Sequence, residues 1–555
     1  MKIALAQLNF HVGNFKSNTS KIIEGIDKAR ALGADLVVFS ELSVCGYPPK
    51  DLLLHEAFID SGANSVMEIA EHCRGIAALV GCPVRNMSDT GKPLFNAALL
   101  LSEGKVVDKV HKSLIPNYDI FDEYRYFEPG EGAGIIHFKG FDIGVTICED
   151  IWNQIPDSKG RRLYKRNPVK EIAASAPHCV INISASPFSF NHTIERKKTC
   201  EAAASACKAP LFYVNTLGCN TDLIFDGGSF AMDKNSQTAG RIACFTEGLA
   251  LFELLPDRNV SVVRAVAGLN DRYNETEEDL VYRALVMGVG DYFRKNNLTN
   301  AVIGLSGGID SALVLALAAK AIGAENIQAI MLPSKFTSAE SVKDATELAK
   351  NIGCKLDTIP IETSFEAAAH SLSALFTDKG SGITEENMQS RIRGLLLMAV
   401  SNKSGALLLN TSNKSELATG YGTLYGDMNG ALSVIGDLYK TQVYSLARHI
   451  NRLNPQLIPE NILLKAPTAE LRPNQKDSDT LPEYDILDKI LIQYIEEQKS
   501  FRDIHVPGAN DDLVTRVLTM TDRNEFKRRQ LCPVLRVSQK AFGEGRRMPI
   551  VAKYR

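Results

Sequence analysis

Short apolar runs with few charges recur through the first half of the chain and predict β-strands. Helical stretches such as 17–31 and 193–207 lie between some of these runs. Strands interleaved with helices predict an α/β sandwich for this half. The predicted strands occupy residues 2–8, 34–42, 75–81, 96–101, 105–112, 141–148, 179–184 and 211–215.

The second half shows a more regular alternation of apolar and amphipathic segments. An apolar stripe typical of one helix face opens it, at Val281, Leu285, Val289 and Tyr292. The pattern then predicts strands at 301–305, 327–332, 355–361 and 405–410, with helices at 308–322, 338–352 and 385–402. This alternation predicts a doubly wound parallel sheet, in which ligands bind at the carboxyl ends of the strands.

A polar stretch with weak periodicity, residues 256–278, separates the two patterns. At 555 residues the chain is also too long for one ordinary domain. We therefore predict a first domain at 1–260, a linker at 261–275 and a second domain at 276–555.

Composition and charge exclude several classes of partner. The net charge of −3 provides no basic excess to hold a nucleic-acid backbone. No apolar stretch approaches the roughly 20 residues needed to cross a bilayer. The 11 cysteines are scattered, which is typical of free thiols in a reducing cytoplasm. We expect a cytoplasmic protein that binds neither nucleic acid nor membrane.

The sequence VIGLSGGIDSALVLA, residues 302–316, joins a predicted strand to a predicted helix through a glycine-rich turn. Such a turn exposes backbone N–H groups at a helix N-terminus and therefore suits a phosphate. The chain lacks the Walker motif with its lysine, and Asp310 would repel a phosphate unless a cation lay between them. We expect Mg²⁺ held by Asp310 and a polyphosphate. The alternative is a plain Gly-Gly turn before a buried helix.

This loop resembles the pyrophosphate-binding signature of the N-type ATP pyrophosphatases, which have an adenine nucleotide α-hydrolase-like fold. Those enzymes adenylate a carbonyl oxygen, and an amine or ammonia then displaces AMP. The segments 410–427, 436–447 and 465–479 resemble the synthetase domain of NAD⁺ synthetases. The resemblance implies that ATP is a co-substrate bound by Gly304, Leu305, Ser306, Gly307, Gly308, Ile309, Asp310, Ser311, Thr411, Lys440 and Thr468.

The same resemblance extends to the acceptor of the amide. The segment NMQSRIRG, 387–394, resembles the family segment that holds deamido-NAD⁺. The implied contacts are Asn387, Arg391, Glu416 and Lys527, and Glu416 is also the second carboxylate on Mg²⁺. Single-domain members carry a lysine and an aspartate where this chain has Leu424 and Ala431, so no contact is assigned to those two positions.

Three reactive side chains lie at ends of predicted strands in the first half: Glu41, Lys112 and Cys148. Strand ends of α/β scaffolds often converge on one site. Together these residues suit amide hydrolysis, with a thiol nucleophile, a carboxylate base and a cation for the oxyanion. A buried structural cysteine is the alternative for Cys148.

The sequence around these residues resembles the nitrilase-like amidase domain of glutamine-dependent NAD⁺ synthetases. The similar segments are 39–48, 112–130 and 147–152. The resemblance implies that Glu41, Lys112 and Cys148 hydrolyse glutamine and that Glu128 lies near them. It also implies a glutamine pocket formed by Tyr118, Ser186 and, where relatives usually carry a lysine, His192.

Both halves thus resemble one family of ligases, which transfer ammonia from glutamine to deamido-NAD⁺. We expect a sheltered passage for ammonia between the sites, because ammonia is protonated in bulk water. A homo-oligomer is expected by analogy. Two alternatives remain at this stage: another amide-forming adenylating ligase, or a non-catalytic sensor of adenine nucleotides or glutamine.

Overall fold

The computed structural model of this protein describes residues 1–156, 160–189, 192–265, 275–376 and 382–553. The chain divides into two compact units, Met1–Glu275 and Thr276–Arg555. Among the described residues, no helix combines the length and apolar character needed to cross a membrane.

The first unit contains fifteen strands and four α-helices in its described part. The strands are β1 (Lys2–Gln7), β2 (Leu36–Val38), β3 (Ala77–Arg85), β4 (Leu94–Ser102), β5 (Lys105–His111), β6 (Ile135–Phe138), β7 (Phe141–Ile147), β8 (Cys179–Ser184), β9 (Leu211–Asn215), β10 (Leu217–Asn220), β11 (Leu223–Asp226), β12 (Phe230–Met232), β13 (Thr238–Arg241), β14 (Gly248–Leu254) and β15 (Val260–Ala265). The helices are α1 (Phe15–Ala31), α2 (Glu56–Glu71), α3 (Pro168–Ala174) and α4 (His192–Cys207).

Most of these strands form two sheets, in the orders β15-β14-β1-β2-β3-β4-β5 and β13-β12-β9-β8-β7-β6. Apolar side chains of both sheets, such as Leu5 and Ile181, meet in one buried cluster. On the outer face of the first sheet, Ile22 of α1 and Ile69 of α2 join a second cluster. Residues of α3 and α4 pack against the other sheet. The predicted α/β sandwich is confirmed.

Two details differ from the sequence expectations. Strand β2 ends at Val38, so Glu41 lies in the following turn rather than at the strand's last position. Strand β15 pairs with β14 and occupies the beginning of the predicted linker 261–275. Residues 266–274 of that segment lie outside the described residues, and the linker stays a prediction.

The second unit is built around a five-stranded sheet in the order β18-β17-β16-β19-β20, and all neighbouring strands are parallel. Its strands are β16 (Ala301–Gly304), β17 (Ile327–Met331), β18 (Lys355–Thr358), β19 (Leu407–Asn410) and β20 (Leu432–Ser433). Its described helices are α5 (Glu277–Lys295), α6 (Ile309–Ile322), α7 (Ala339–Ile352), α8 (Glu362–Leu372), α9 (Ile383–Ser404), α10 (Lys414–Thr419), α11 (Lys440–Leu453), α12 (Glu460–Leu464), α13 (Tyr484–Ile495), α14 (Asp511–Arg523) and α15 (Glu525–Arg528).

Helix α6 is apolar on all sides, and its residues 311–318 are buried without interruption. Such a helix is stable only inside a protein. It packs against α5 and α11 as well as against β16 and β17. The predicted parallel sheet is therefore confirmed, and the glycine-rich turn lies at the carboxyl end of its central strand.

Candidate active site

In the first unit, Glu41, Lys112 and Cys148 are all buried. Lys112 Nζ donates a hydrogen bond to Glu41 Oε1 at 2.8 Å. Glu41 also accepts hydrogen bonds from the side-chain amide of Asn96 at 2.7 Å and from the backbone N–H of Ala185 at 2.9 Å. These three donors fix the carboxylate in one orientation.

A second carboxylate, Glu123, completes this cluster. Lys112 Nζ donates to its two oxygens at 3.0 and 2.8 Å, and the Tyr47 hydroxyl donates to Oε1 at 2.9 Å. The sequence resemblance assigned the neighbouring role to Glu128. The Glu128 carboxylate instead accepts a hydrogen bond from the Lys92 backbone N–H at 2.7 Å. Both glutamates lie within the similar segment 112–130, so the sequence alone did not distinguish them.

The burial of the cluster determines its protonation states. Burial lowers the pKa of Lys112, but Glu123 and Glu41 outweigh this effect and raise it well above its usual value. The lysine is therefore charged. Burial raises the pKa of the Cys148 thiol far above its usual value, an effect that Glu41 reinforces and Lys112 opposes. The thiol is protonated at neutral pH and needs a base before it can act as a nucleophile.

Cys148 lies directly after β7 with a φ of 43°, in the left-handed region that non-glycine residues seldom adopt. Asp150 supports this turn. Its carboxylate accepts hydrogen bonds from the backbone N–H groups of Ile147 at 3.0 Å, Ser113 at 2.9 Å and Leu114 at 2.7 Å. The side chain of Asp150 thus ties the backbone before the nucleophile to the backbone that follows Lys112.

Of the predicted glutamine pocket, Tyr118 donates its hydroxyl to the two oxygens of Glu149 at 3.1 and 3.0 Å. Burial raises the pKa of Glu149 to about 7. Glu149 follows the nucleophile directly and was not predicted. Its position within the similar segment 147–152 is the signal that could have identified it.

Ser186 and His192, the other two predicted pocket residues, contact each other, with 2.9 Å between Ser186 Oγ and His192 Nε2. The imidazole stacks on Trp152, with ring centroids 5.0 Å apart and an interplanar angle of 12°. Burial lowers the pKa of His192. A neutral imidazole therefore lies where relatives are expected to carry a cationic lysine.

In the second unit, the turn after β16 is built for close backbone contact. Gly307 has a φ of 80°, and a Cβ at this position would lie 2.3 Å from the Ser341 carbonyl oxygen. Gly308 precedes the first turn of α6. The hydroxyls of Ser306 and Ser311 lie 3.1 Å apart and brace the loop. The turn accommodates glycine alone at position 307 and presents a helix N-terminus.

A cavity of about 280 Å³ opens at this turn. Apart from Gly307, all the residues predicted to bind ATP line it. Lys440 Nζ lies 2.6 Å from Asp310 Oδ2 and 3.5 Å from Glu416 Oε1. The Asn413 amide donates to Asp310 Oδ1 at 3.0 Å. One ammonium group therefore contacts both carboxylates of the predicted metal site.

Burial and the neighbouring Asp310 carboxylate raise the pKa of Glu416 to about 8. Burial lowers the pKa of Lys440, but Asp310 and Glu416 outweigh this effect and raise the pKa well above its usual value. The lysine is therefore charged. The two carboxylates offer hard oxygen ligands that suit Mg²⁺ once the ammonium moves towards a phosphate. Within the described residues, no group of three or more His, Cys, Asp and Glu side chains is arranged to hold a metal.

Of the four residues predicted to bind deamido-NAD⁺, Glu416 lines the cavity. The other three contact one segment, residues 420–424. Asn387 Oδ1 accepts from the Thr423 hydroxyl at 2.8 Å, and Arg391 Nε donates to the Leu424 carbonyl at 3.2 Å. Lys527 Nζ donates to the Gly420 and Gly422 carbonyls at 2.8 and 2.7 Å.

The cavity also contains a cation that was not predicted. Arg393 lines it and donates its Nε to the Leu332 carbonyl at 2.9 Å. Burial lowers the pKa of Arg393 to about 10. Arg393 belongs to the segment 387–394 singled out from the sequence, in which Arg391 was chosen instead.

A buried cysteine, glutamate and lysine in a two-sheet sandwich, followed by a nucleotide-type turn on a parallel sheet, define an amide hydrolase joined to an adenylating synthetase. Family models agree with this class: carbon–nitrogen hydrolase matches residues 2–259, and NAD synthase matches residues 281–531.

Full-length relatives define the family. The chain is 44% identical to the glutamine-dependent NAD(+) synthetase of Synechocystis, covering 100% of this chain and 99% of the relative. It is 38% identical to that of Thermotoga maritima, with coverages of 100% and 99%. The structure of the Acinetobacter baumannii synthetase in complex with ADP is 38% identical and covers 99% of this chain and 98% of its own, with a TM-score of 0.77. The chain belongs to the glutamine-dependent NAD(+) synthetases.

Proposed function

We propose that this chain converts deamido-NAD⁺ to NAD⁺, with glutamine as the source of ammonia and ATP as the source of energy, and releases glutamate, AMP and pyrophosphate. The observation that carries the proposal is the assembly of two complete reactive sets in one chain. The first unit holds Cys148 with the Glu41–Lys112 pair, and the second holds Asp310, Glu416 and Lys440 around a nucleotide-sized cavity.

In the first unit, Glu41 removes the proton from the Cys148 thiol, and the thiolate attacks the side-chain carbonyl carbon of glutamine. The charged Lys112 stabilises the oxyanion that forms. The C–N bond then breaks, Glu41 returns the proton to the leaving ammonia, and a glutamyl thioester remains on Cys148. Water hydrolyses the thioester to glutamate and restores the thiol.

Tyr118, Ser186 and His192 bind glutamine in this scheme, together with the unpredicted Glu149. A carboxylate beside a phenol suits the ammonium group of an amino acid. Because burial raises the pKa of Glu149 to about 7, this contact strengthens as the pH rises through neutrality.

In the second unit, the turn at Ser306–Ser311 and Lys440 hold the phosphates of ATP, and Thr411 and Thr468 contact the nucleotide. The carboxylate of deamido-NAD⁺ attacks the α-phosphorus, pyrophosphate leaves, and an acyl adenylate forms. Ammonia then attacks the acyl carbon and displaces AMP, which gives the nicotinamide. Asn387, Arg391, Glu416 and Lys527 orient the dinucleotide, and Arg393 provides a further cation.

Asp310 and Glu416 are the residues that would hold Mg²⁺. When bound, the ion neutralises the charge of the polyphosphate and of its pyrophosphate leaving group. The chain's own part is to keep both partly buried carboxylates beside Lys440, whose ammonium is free to turn towards the phosphates.

Three further proposals accompany the reaction. Ammonia travels between the two active sites along a sheltered passage, because a protonated amine is no nucleophile. The enzyme works as a homo-oligomer, as adenylating sheets of this kind commonly do. It works in the cytoplasm, a location supported by its eleven free cysteines.

The substitution Cys148→Ala tests the division of labour. With deamido-NAD⁺, ATP and Mg²⁺, it should abolish glutamine-supported formation of NAD⁺ and AMP and leave ammonium-supported formation intact. Cys45→Ala is a matched control, because this thiol is also buried in the first unit and has no assigned role. Loss of both activities on changing Cys148 would mean that the thiol is structural.

A further inference from the structure

A buried set of charged and polar side chains in the first unit takes no part in the mechanism above. It consists of Arg196 on α4, Asn215 at the end of β9 and Asp226 at the end of β11, and solvent reaches at most 1% of any of them. Burying a charged pair carries a large desolvation penalty and adds little net stability. These residues therefore call for another explanation.

The contacts link this set to the predicted glutamine pocket. Arg196 donates to both oxygens of Asp226, at 2.9 and 2.8 Å. Asn215 Nδ2 donates to Asp226 Oδ1 at 3.3 Å and to the Ser186 carbonyl at 3.1 Å. The backbone N–H of Ser186 donates to Asn215 Oδ1 at 2.8 Å. The Asn215 side chain thus forms hydrogen bonds with both the backbone N–H and the backbone carbonyl of Ser186.

The set closes into a ring through helix α4. Arg196 lies one helical turn after His192, and the His192 imidazole contacts the Ser186 hydroxyl at 2.9 Å. The path runs from Ser186 through Asn215, Asp226 and Arg196 and returns through α4 and His192. Two of the three residues of the predicted pocket, Ser186 and His192, are therefore fixed by the same ring.

The ion pair also sets the orientation of the Asn215 amide. A carboxylate accepts hydrogen bonds and does not donate them, so Asp226 forces the amide nitrogen of Asn215 to face it. The amide oxygen is then left to receive the Ser186 N–H. Arg196 in turn holds Asp226 through a bidentate ion pair, whose two parallel hydrogen bonds fix the orientation of the carboxylate.

We propose that Asn215, oriented by the Arg196–Asp226 pair, is a positioning residue that aims the Ser186 hydroxyl at glutamine and so sets the affinity for this substrate. The proposal rests on the glutamine-binding role proposed for Ser186. It predicts an effect on binding rather than on chemistry. Glu41 is held by Lys112 and Asn96 as well as by Ala185, so the base keeps its place when the turn at Ser186 loosens.

The test compares glutamine hydrolysis by the full-length enzyme and its variants Asn215→Ala, Ser186→Ala and the double variant. Asn215→Ala should raise the KM for glutamine about tenfold and lower kcat less than about threefold, as expected for a lost hydrogen bond of ordinary strength. In the Ser186→Ala background it should add no further rise. Ammonium-supported synthesis and the rate of Cys148 alkylation should match the unaltered enzyme.

A second variant guards against a folding failure. Asp226→Asn keeps the side-chain volume but allows the Asn215 amide to turn, so it should raise KM in the same direction. Cys244→Ala is a graded variant, and Cys207→Ala is the matched control. Because the Cys244 thiol itself donates a hydrogen bond to Asp226 Oδ2 at 3.7 Å, this variant weakens the ring without breaking it, and the rise in KM should be smaller than for Asp226→Asn. Cys207→Ala removes a buried thiol at the end of α4 whose sulfur contacts the Val169 carbonyl outside the ring, and its KM should be unchanged. Fluorescence of the single tryptophan, Trp152, reports whether the first unit is folded.

The possible results separate the proposals. If Ser186→Ala raises KM while folded Asn215→Ala and Asp226→Asn leave it unchanged, the positioning role is wrong and the pocket stands. If kcat and the rate of alkylation fall together with a rise in KM in both ring variants, the ring is merely structural. If Ser186→Ala itself leaves KM unchanged, the proposed glutamine-binding role of Ser186 fails.

Discussion

The substitution Gly307→Ala offers a quantitative test of the phosphate turn. At a φ of 80°, an alanine here would adopt the left-handed conformation, which costs about 1–2 kcal/mol. Its Cβ would also lie 2.3 Å from the Ser341 carbonyl oxygen and 3.0 Å from two further backbone atoms of Ser341. Backbone cannot swing aside as a side chain does, so the turn or the start of α7 must move.

Overpacking of this kind costs about 1–3 kcal/mol, which brings the expected loss of stability in the second unit to roughly 2–5 kcal/mol. The variant Gly353→Ala measures the cost of the left-handed conformation alone. Gly353 has a φ of 83° at the end of α7, and its Cβ would meet nothing within 4 Å. The Gly353→Ala variant should lose about 1–2 kcal/mol of unfolding free energy and keep its activity.

The assay is pyrophosphate release from ATP and deamido-NAD⁺ with ammonium as donor. A displacement of about 1 Å in a binding loop can lower the rate about 100-fold, and we expect a loss of that order for Gly307→Ala. Glutamine hydrolysis in the first unit should remain. Circular dichroism follows the stability of the second unit. If Gly307→Ala and Gly353→Ala behave alike in both measurements, the close approach to Ser341 is irrelevant and the reasoning fails.

Two further predictions concern charge. Between about pH 4.5 and 7, Glu149 is deprotonated in the unfolded chain but still protonated in the folded one. The free energy of unfolding should therefore fall by about 3 kcal/mol as the pH rises through this range, and the Glu149→Gln variant should not show this fall. Unfolding followed by Trp152 fluorescence at pH 5 and 8 measures this difference, and parallel curves would contradict it. Lys440→Met should tighten Mn²⁺ binding without nucleotide about tenfold, because Asp310 and Glu416 then face each other without a cation. Calorimetric titration checks this, with Asp310→Asn as the variant expected to lose binding; an unchanged affinity would contradict it.

Much of the fold was predictable because its central strands are short apolar runs that only a sheet interior can accommodate. Strands β1, β8 and β16 were identified this way. Strands β10 to β13 were missed, since each has only three or four residues. Their conformation depends on pairing with distant partners rather than on local pattern.

The residues of the candidate sites were also predictable from the sequence only in part. Asp310, Glu416 and Lys440 were chosen from the sequence because each lies in a segment that resembles the family, but the contact of one ammonium with both carboxylates required coordinates. Glu123 and Arg393 were missed, because their contacts with Tyr47 and Leu332 join residues far apart in the sequence. The sensor alternative required degraded residues at the predicted sites, whereas Glu41, Lys112 and Cys148 are all present and the first two are hydrogen-bonded to each other.

The backbone brace supplied by Asp150 has an evolutionary consequence. Since one carboxylate ties the main chain just before the thiol to the main chain just after the lysine, the spacing of the reactive groups does not depend on the side chains that line the pocket. Side chains that line the pocket can therefore be substituted during evolution while the cleavage chemistry is kept. The imidazole at position 192, where the family resemblance leads us to expect a lysine, lies among these pocket side chains and marks them as the place to engineer acceptance of other amides.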